Sequence, residues 1–157
     1  MKWFLVIVLI CVIMLIAKSV SEQYKEKFDF YNNLKIFLHQ FKLNLSFRQE
    51  KIINFLETTK SKKQFNCFIN SYKNYLITNK IDFSEIKILD TEEKNQLSNI
   101  ITKIGKHDVI NESSQIELFI LEIEEKTNKA KKDKEKLCPM IIKLSLLFAI
   151  GLVIILI

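Results

Sequence analysis

Eighteen residues from Met140 to Ile157, MIIKLSLLFAIGLVIILI, are interrupted by only two polar side chains, Lys143 and Ser145. Wound as a helix at about 1.5 Å per residue they cover roughly 27 Å, close to the hydrocarbon thickness of a bilayer. A helix that is apolar all round does not suit the surface of a water-soluble domain, and a chain of 157 residues does not need one as a core. Lys143 lies near the start of the run, where its stem can snorkel to the headgroups. Lys129, Lys131, Lys132, Lys134 and Lys136 precede it. Together these six lysines are expected to face the membrane surface and to mark its cytoplasmic side.

A second apolar run, WFLVIVLICVIMLIA, occupies residues 3–17. It reads in two ways. With Lys2 ahead of it and Ala17-Lys18-Ser19 behind, it has the layout of a signal peptide. Extended over residues 1–20 it is long enough to be an uncleaved transmembrane anchor. One of the 24 bases precedes the run and 23 follow it. That asymmetry favours a retained anchor with the middle of the chain in the cytoplasm.

Between the runs the chain is strongly charged in both signs, and its scarcity of breakers, two glycines and one proline, favours helices. Residues 21–45 carry Tyr24, Phe28, Tyr31, Leu34, Leu38, Phe41 and Leu45 at spacings of three and four, one helical stripe that Phe30, Phe37 and Leu43 widen. Ser46-Phe47-Arg48-Gln49 and Ser61-Lys62-Lys63-Gln64 both read as capping boxes. They predict a helix over about 47–59, burying Ile52, Ile53, Phe55 and Leu56, and a second over about 62–79, burying Phe65, Phe68, Ile69, Tyr72, Tyr75 and Leu76. Phe83-Ser84-Glu85 predicts a short helix to Leu89. Asp90 with Glu92 and Glu93 predicts a further helix start, followed by Leu97, Ile100, Ile101 and Ile104. Gly105 then fits a left-handed helix end, and Asp108 the cap of a last helix over about 109–137 that buries Ile116, Phe119, Ile120 and Ile123. Beyond Ile123 the apolar stripe fades, which predicts a solvated stalk over 127–136, with i,i+4 pairs Glu122–Lys126 and Glu125–Lys129. Pro139 predicts a break or kink near Cys138.

Chemistry is sparse. A single arginine, Arg48, among 24 bases argues against nucleic-acid recognition. No Gly-rich phosphate loop appears, so a nucleotide or other small-molecule substrate is not expected. Cys11, Cys67 and Cys138 are odd in number and widely spaced, which fits a reducing cytosol and no disulfide framework. Two histidines, His39 and His107, and no CxxC motif leave no common zinc site, and no cofactor is expected. His107 beside Asp108 has the composition of an acid–base dyad, but a helix end followed by a cap explains both residues. No catalytic residue is expected.

The order of parts, with Gly105-Lys106-His107-Asp108, about thirty helical residues and then LSLLFAIGLVIILI, resembles the stage III sporulation protein AB family. The resemblance implies a component of the mother-cell machinery of endospore formation. It would sit in the membrane around the forespore, within a channel or secretion-like complex. It also implies a soluble part similar to the cytoplasmic helical domains of type II secretion inner-membrane platform proteins. The implied partners are other stage III sporulation proteins, including a secretion-type ATPase.

The expected architecture is all-α: an anchor over 1–20, an antiparallel helical bundle over 21–138 in the cytoplasm, and a transmembrane helix over 139–157. Its partner-binding end is expected at Lys106, His107 and Asp108. Two other classes stay open at this point. A surface protein with a cleaved signal peptide and a C-terminal anchor would place Cys67 outside the cell, and a small membrane enzyme would need His107 or Asp108 for activity.

Overall fold

The computed structural model describes residues 2–47, 52–59, 63–104 and 109–156. The described residues form five helices and no strand: α1 (Lys2–Phe47), α2 (Ile52–Thr58), α3 (Lys63–Thr78), α4 (Thr91–Lys103) and α5 (Val109–Leu156). They group into two compact units. A middle unit is Asp29–Asn128, and an end unit comprises Met1–Phe28 with Lys129–Ile157.

The middle unit is organised by aromatic rings. The α1 stripe buries Phe30, Tyr31, Leu34, Phe37, Leu38 and Phe41 as its spacing predicts. Phe55 of α2 and Phe65 and Phe68 of α3 meet this face, and Tyr72 of α3 is buried beside Phe68. Phe68 is the hub, with ring centroids 5.2 Å from Phe65, 5.8 Å from Phe37, 6.2 Å from both Phe30 and Tyr72, and 6.3 Å from Phe83. Several of these pairs are edge-on, the geometry that the ring quadrupole favours. Leu43 and Ile53, read as inward-facing, are 58% and 44% exposed, so the core is narrower than the sequence reading drew it.

Helix ends follow local chemistry in some places and not in others. Asp90 caps α4 with a complete box: Glu93 N donates to Asp90 Oδ1 at 2.8 Å, and Asp90 N donates to Glu93 Oε2 at 3.0 Å. Leu97, Ile100 and Ile101 face inward behind it. Asp90→Ala should lower the stability of the middle unit by about 0.5–2 kcal/mol, measured by urea denaturation of the full chain in detergent. An unchanged midpoint would show that the box is not needed. Asn79 ends α3 at φ 57°, the left-handed conformation that asparagine tolerates better than most residues. Its amide donates to Tyr75 O at 2.8 Å.

Four expectations need correction. Ser46 does not cap α2. It lies inside α1, which runs to Phe47, and α2 starts at Ile52. A cap needs extended backbone, and a helix held through Phe37, Leu38 and Phe41 continues past the serine. The second predicted box begins at Ser61, outside the described residues, although α3 starts at Lys63, close to its predicted place. The expected short helix after Phe83 is a series of turns. Asp82 Oδ1 takes the Ser84 amide and the Ile86 amide goes back to Phe83 O, while Phe83, Ile86 and Leu89 are buried as plugs. Pro139 does not break α5, which is helical from Val109 to Leu156. A proline removes one backbone donor; here it sits on an exposed face, where water or headgroups can serve the freed carbonyl. Finally, 127–136 is not a stalk solvated all round. Thr127 and Ala130 are buried, and Thr127 Oγ1 donates to Ile123 O at 2.7 Å.

Within the end unit, the first and last parts of the chain pair as antiparallel helices. Ser145 Oγ lies 3.8 Å from Met14 Sδ, Cys138 Sγ donates to Ser21 O at 3.4 Å, and Lys134 Nζ stands 4.4 Å from the Phe28 ring centroid. Moving along α1 from residue 14 to 21 to 28 corresponds to moving back along α5 from 145 to 138 to 134. Small buried residues, Ala17 and Ala149, lie within this unit, as helices that approach closely require.

Candidate functional site

The two surfaces with functional content are the flanks of the apolar helices and the exposed faces of the middle unit. Both α1 and α5 are long and apolar enough to cross a membrane. Only 17% and 11% of their most apolar windows is buried within the protein. That is the reverse of a soluble core helix, whose apolar residues are covered by the fold. Leu15, Leu147 and Phe148 are each about two-thirds exposed.

Charge is partitioned with the same boundary. The end unit holds ten of the 24 bases and four of the 18 acids; the middle unit therefore holds fourteen of each. The whole net charge of +6 belongs to the end unit, and the middle unit is formally neutral. Nine of the ten end-unit bases lie at residues 18–27 and 129–143, at the inner margins of the two apolar runs. That is the pattern of a membrane-flanking charge cluster.

The six lysines expected to face the membrane do not act alike. Lys129, Lys132, Lys136 and Lys143 are one stripe, within an arc of about 60° when each residue advances the helix by about 100°. Lys129, Lys132 and Lys136 are exposed, and so is Lys143. Lys131 is exposed too and pairs with Glu135 at 4.0 Å, an i,i+4 contact at the limit of an ion pair. Lys134 is half-buried, on the packed side of α5, where its ammonium covers the Phe28 ring. It is therefore a packing residue first. Lys126 is not used along its own helix as predicted. It donates to Gln96 Oε1 of α4 and stands 5.9 Å from the Tyr31 ring centroid, joining three helices of the middle unit.

Lys106, His107 and Asp108, expected to bind a partner, and Gly105 before them lie outside the described residues. The helices on either side of them, α4 and α5, are both present. α5 also carries a surface that the sequence reading missed. Leu118 and Leu121 are 66% and 59% exposed, one turn apart. The signal was legible: residues 118–121 read LFIL, four consecutive apolar side chains, more than one helix face can bury. Glu117 beside them reaches Lys42 Nζ at 2.9 Å, and Glu124 reaches Lys35 Nζ at 3.3 Å.

Titratable groups point to packing. His39 is exposed. Among the described residues no cluster of three or more His, Cys, Asp or Glu is placed to hold a metal. Burial raises the Tyr72 phenol above its usual range, and the charge of Glu112, itself buried, adds to this. Burial also raises the Cys67 thiol, helped by the carboxylate of Glu85. Cys67 should therefore react slowly with maleimide at neutral pH and faster as pH rises into the alkaline range. Glu85→Gln should shift that rise to lower pH. A rate–pH profile of the unfolded type in the intact chain would count against this environment.

No curated protein matches the chain, and no solved structure matches it. A family comparison does match, over residues 2–157 and so over essentially the full length. The chain belongs to the stage III sporulation protein AB family.

Proposed function

We propose that this protein is a membrane-held docking component of a sporulation channel or secretion-like complex. It sits in the mother-cell membrane around the forespore, with the middle unit in the cytoplasm and a secretion-type ATPase as its partner there. In this reading it is not an enzyme, and its helical middle unit is similar in fold to the cytoplasmic domains of type II secretion inner-membrane platform proteins. The observation that carries the reading is the partition of the molecule. All net charge accompanies the apolar helices, while a neutral helical unit between them displays Leu118 and Leu121. Exposed leucines cost solvation unless a partner covers them, and a unit tethered at both ends meets its partner at high effective concentration. Lys106, His107 and Asp108, which precede the same helix in the sequence, are assigned to the docking face in this reading.

The test is retention of the ATPase on the full chain in nanodiscs. Leu118→Asp/Leu121→Asp and Lys106→Glu should each reduce retention by about tenfold or more, as loss of a docking hot spot does. Lys131→Glu/Lys132→Glu should leave retention unchanged and weaken the hold of the juxtamembrane segment on anionic lipid. Full retention by all three variants, or a loss confined to the Lys131/Lys132 variant, would remove the docking face from this surface.

A further inference from the structure

A groove of about 600 Å³ runs along the pair of apolar helices in the end unit. Its walls are Cys11, Met14, Leu15 and Ala17 of α1, with Ile142 and Ser145 of α5. Its other end is polar, closed by Lys18, Ser21, Glu22 and Lys25. The volume lies within the roughly 300–1,000 Å³ of small-ligand clefts.

Three observations say what fits. First, the apolar walls belong to the segments long enough to cross a membrane, where the available apolar occupant is an acyl chain. The antiparallel register sets Lys18 close to the level of Lys143, so the polar end lies where headgroups begin. Second, the hydroxyl of Ser21 is buried without any protein partner, although Ser21 lines the groove and its carbonyl is taken by Cys138. An unsatisfied buried hydroxyl costs about 1–3 kcal/mol, and a ligand oxygen relieves it. Third, among the described residues no ion pair occupies Lys18 or Lys25, and the end unit around them carries the entire +6. Two cations against the single acid Glu22, in a positive field, select a negatively charged headgroup over a neutral one.

We propose that this groove holds one anionic phospholipid. Its acyl chain lies against Met14, Leu15 and Ile142, and its phosphate is held by Lys18 and Lys25 and accepts from Ser21. This rests on the two helices crossing the membrane, as the proposed function requires. The lipid then acts as a wedge that fills the seam between the helices on the cytoplasmic side.

The test uses the full chain purified in a neutral detergent and exchanged with phosphatidylglycerol or phosphatidylcholine, followed by native mass spectrometry. One phosphatidylglycerol should stay bound per chain, at about tenfold lower lipid concentration than phosphatidylcholine requires. Lys18→Ala/Lys25→Ala should abolish the preference while still allowing an acyl chain to bind. Leu15→Trp, which fills the groove without altering charge, should abolish retention of both lipids. Equal retention of the two lipids by the native chain would reduce the groove to ordinary annular contact and overturn the proposal. So would Cys11–Cys11 cross-linking of two chains in membranes that Leu15→Trp prevents, because a second copy would then be the occupant. Extraction of the native chain by alkaline carbonate is scored separately. Release there would overturn the membrane-crossing reading itself, whereas retention with no lipid preference would overturn only the lipid site.

Discussion

Phe68→Ala should destabilise the middle unit by about 3–5 kcal/mol, which for many small domains is half of the total stability or more. Phe68 is about 1% exposed and stacks against rings from α1, α3 and the segment before α4. Truncation removes the transfer free energy of a buried ring and leaves a cavity whose lining is itself rigid aromatic rings. Such a lining collapses poorly, so the cost should fall in the upper part of the range. The measurement is pulse proteolysis in urea on the full chain in nanodiscs, which reads opening of residues 29–128 apart from the two apolar helices. Leu118→Ala is the control and should change stability by less than about 0.5 kcal/mol, since the side chain is already in water. Equal effects of the two substitutions would mean that the ring cluster is not the core.

Leu147→Arg should shift insertion of the last helix by about 2.5–3.5 kcal/mol, roughly a hundredfold in the inserted fraction. The substitution discriminates because Leu147 is 66% exposed on the fold itself. In a water-soluble protein an exposed leucine accepts arginine with little consequence. In a bilayer the same position, near the middle of the apolar run, is surrounded by hydrocarbon and the charge must be hydrated through it. The readout is the fraction resisting alkaline carbonate extraction, with Lys143→Arg as a charge-conserving control at the headgroup level. A fully membrane-resistant Leu147→Arg chain would remove the last helix from the bilayer interior.

What the sequence revealed follows the range of each interaction. The Asp90 cap was legible because a helix cap is completed within four residues, and no distant contact is needed to form it. The stripe through Tyr31, Leu34, Leu38 and Phe41 was legible because helical periodicity records which face is covered. Ser46 shows the limit of such reading. Its local signal matches a cap, but the packing of the preceding turns carries α1 through it. Pro139 shows another, since the penalty of a proline depends on whether its freed carbonyl faces solvent or protein. The pairing of Ser21 with Cys138 and of Phe28 with Lys134 had no local signature, because the partners lie more than a hundred residues apart. For the same reason the lysines were legible as a group by composition, while Lys134 could be recognised as a packing residue only once Phe28 was beneath it. The exposed Leu118 and Leu121 were written into the LFIL run, but which of its four residues face outward depends on where α5 meets its neighbours.

The antiparallel contact between the two apolar helices also carries a timing consequence. Its closest links join residues 117 and 131 positions apart in the chain. At roughly 5–20 residues synthesised per second, the first apolar helix waits about 6–26 s for its mate. During that interval Ser21 has no Cys138 to engage its carbonyl, and the face of Ala17 is uncovered. The middle unit depends on the same late arrival, because Ile116, Ile120 and Ile123 complete its core. Folding of the nascent chain is thus gated by its last third, and a stall in translation before α5 would leave a lone apolar helix open to membrane proteases and chaperones.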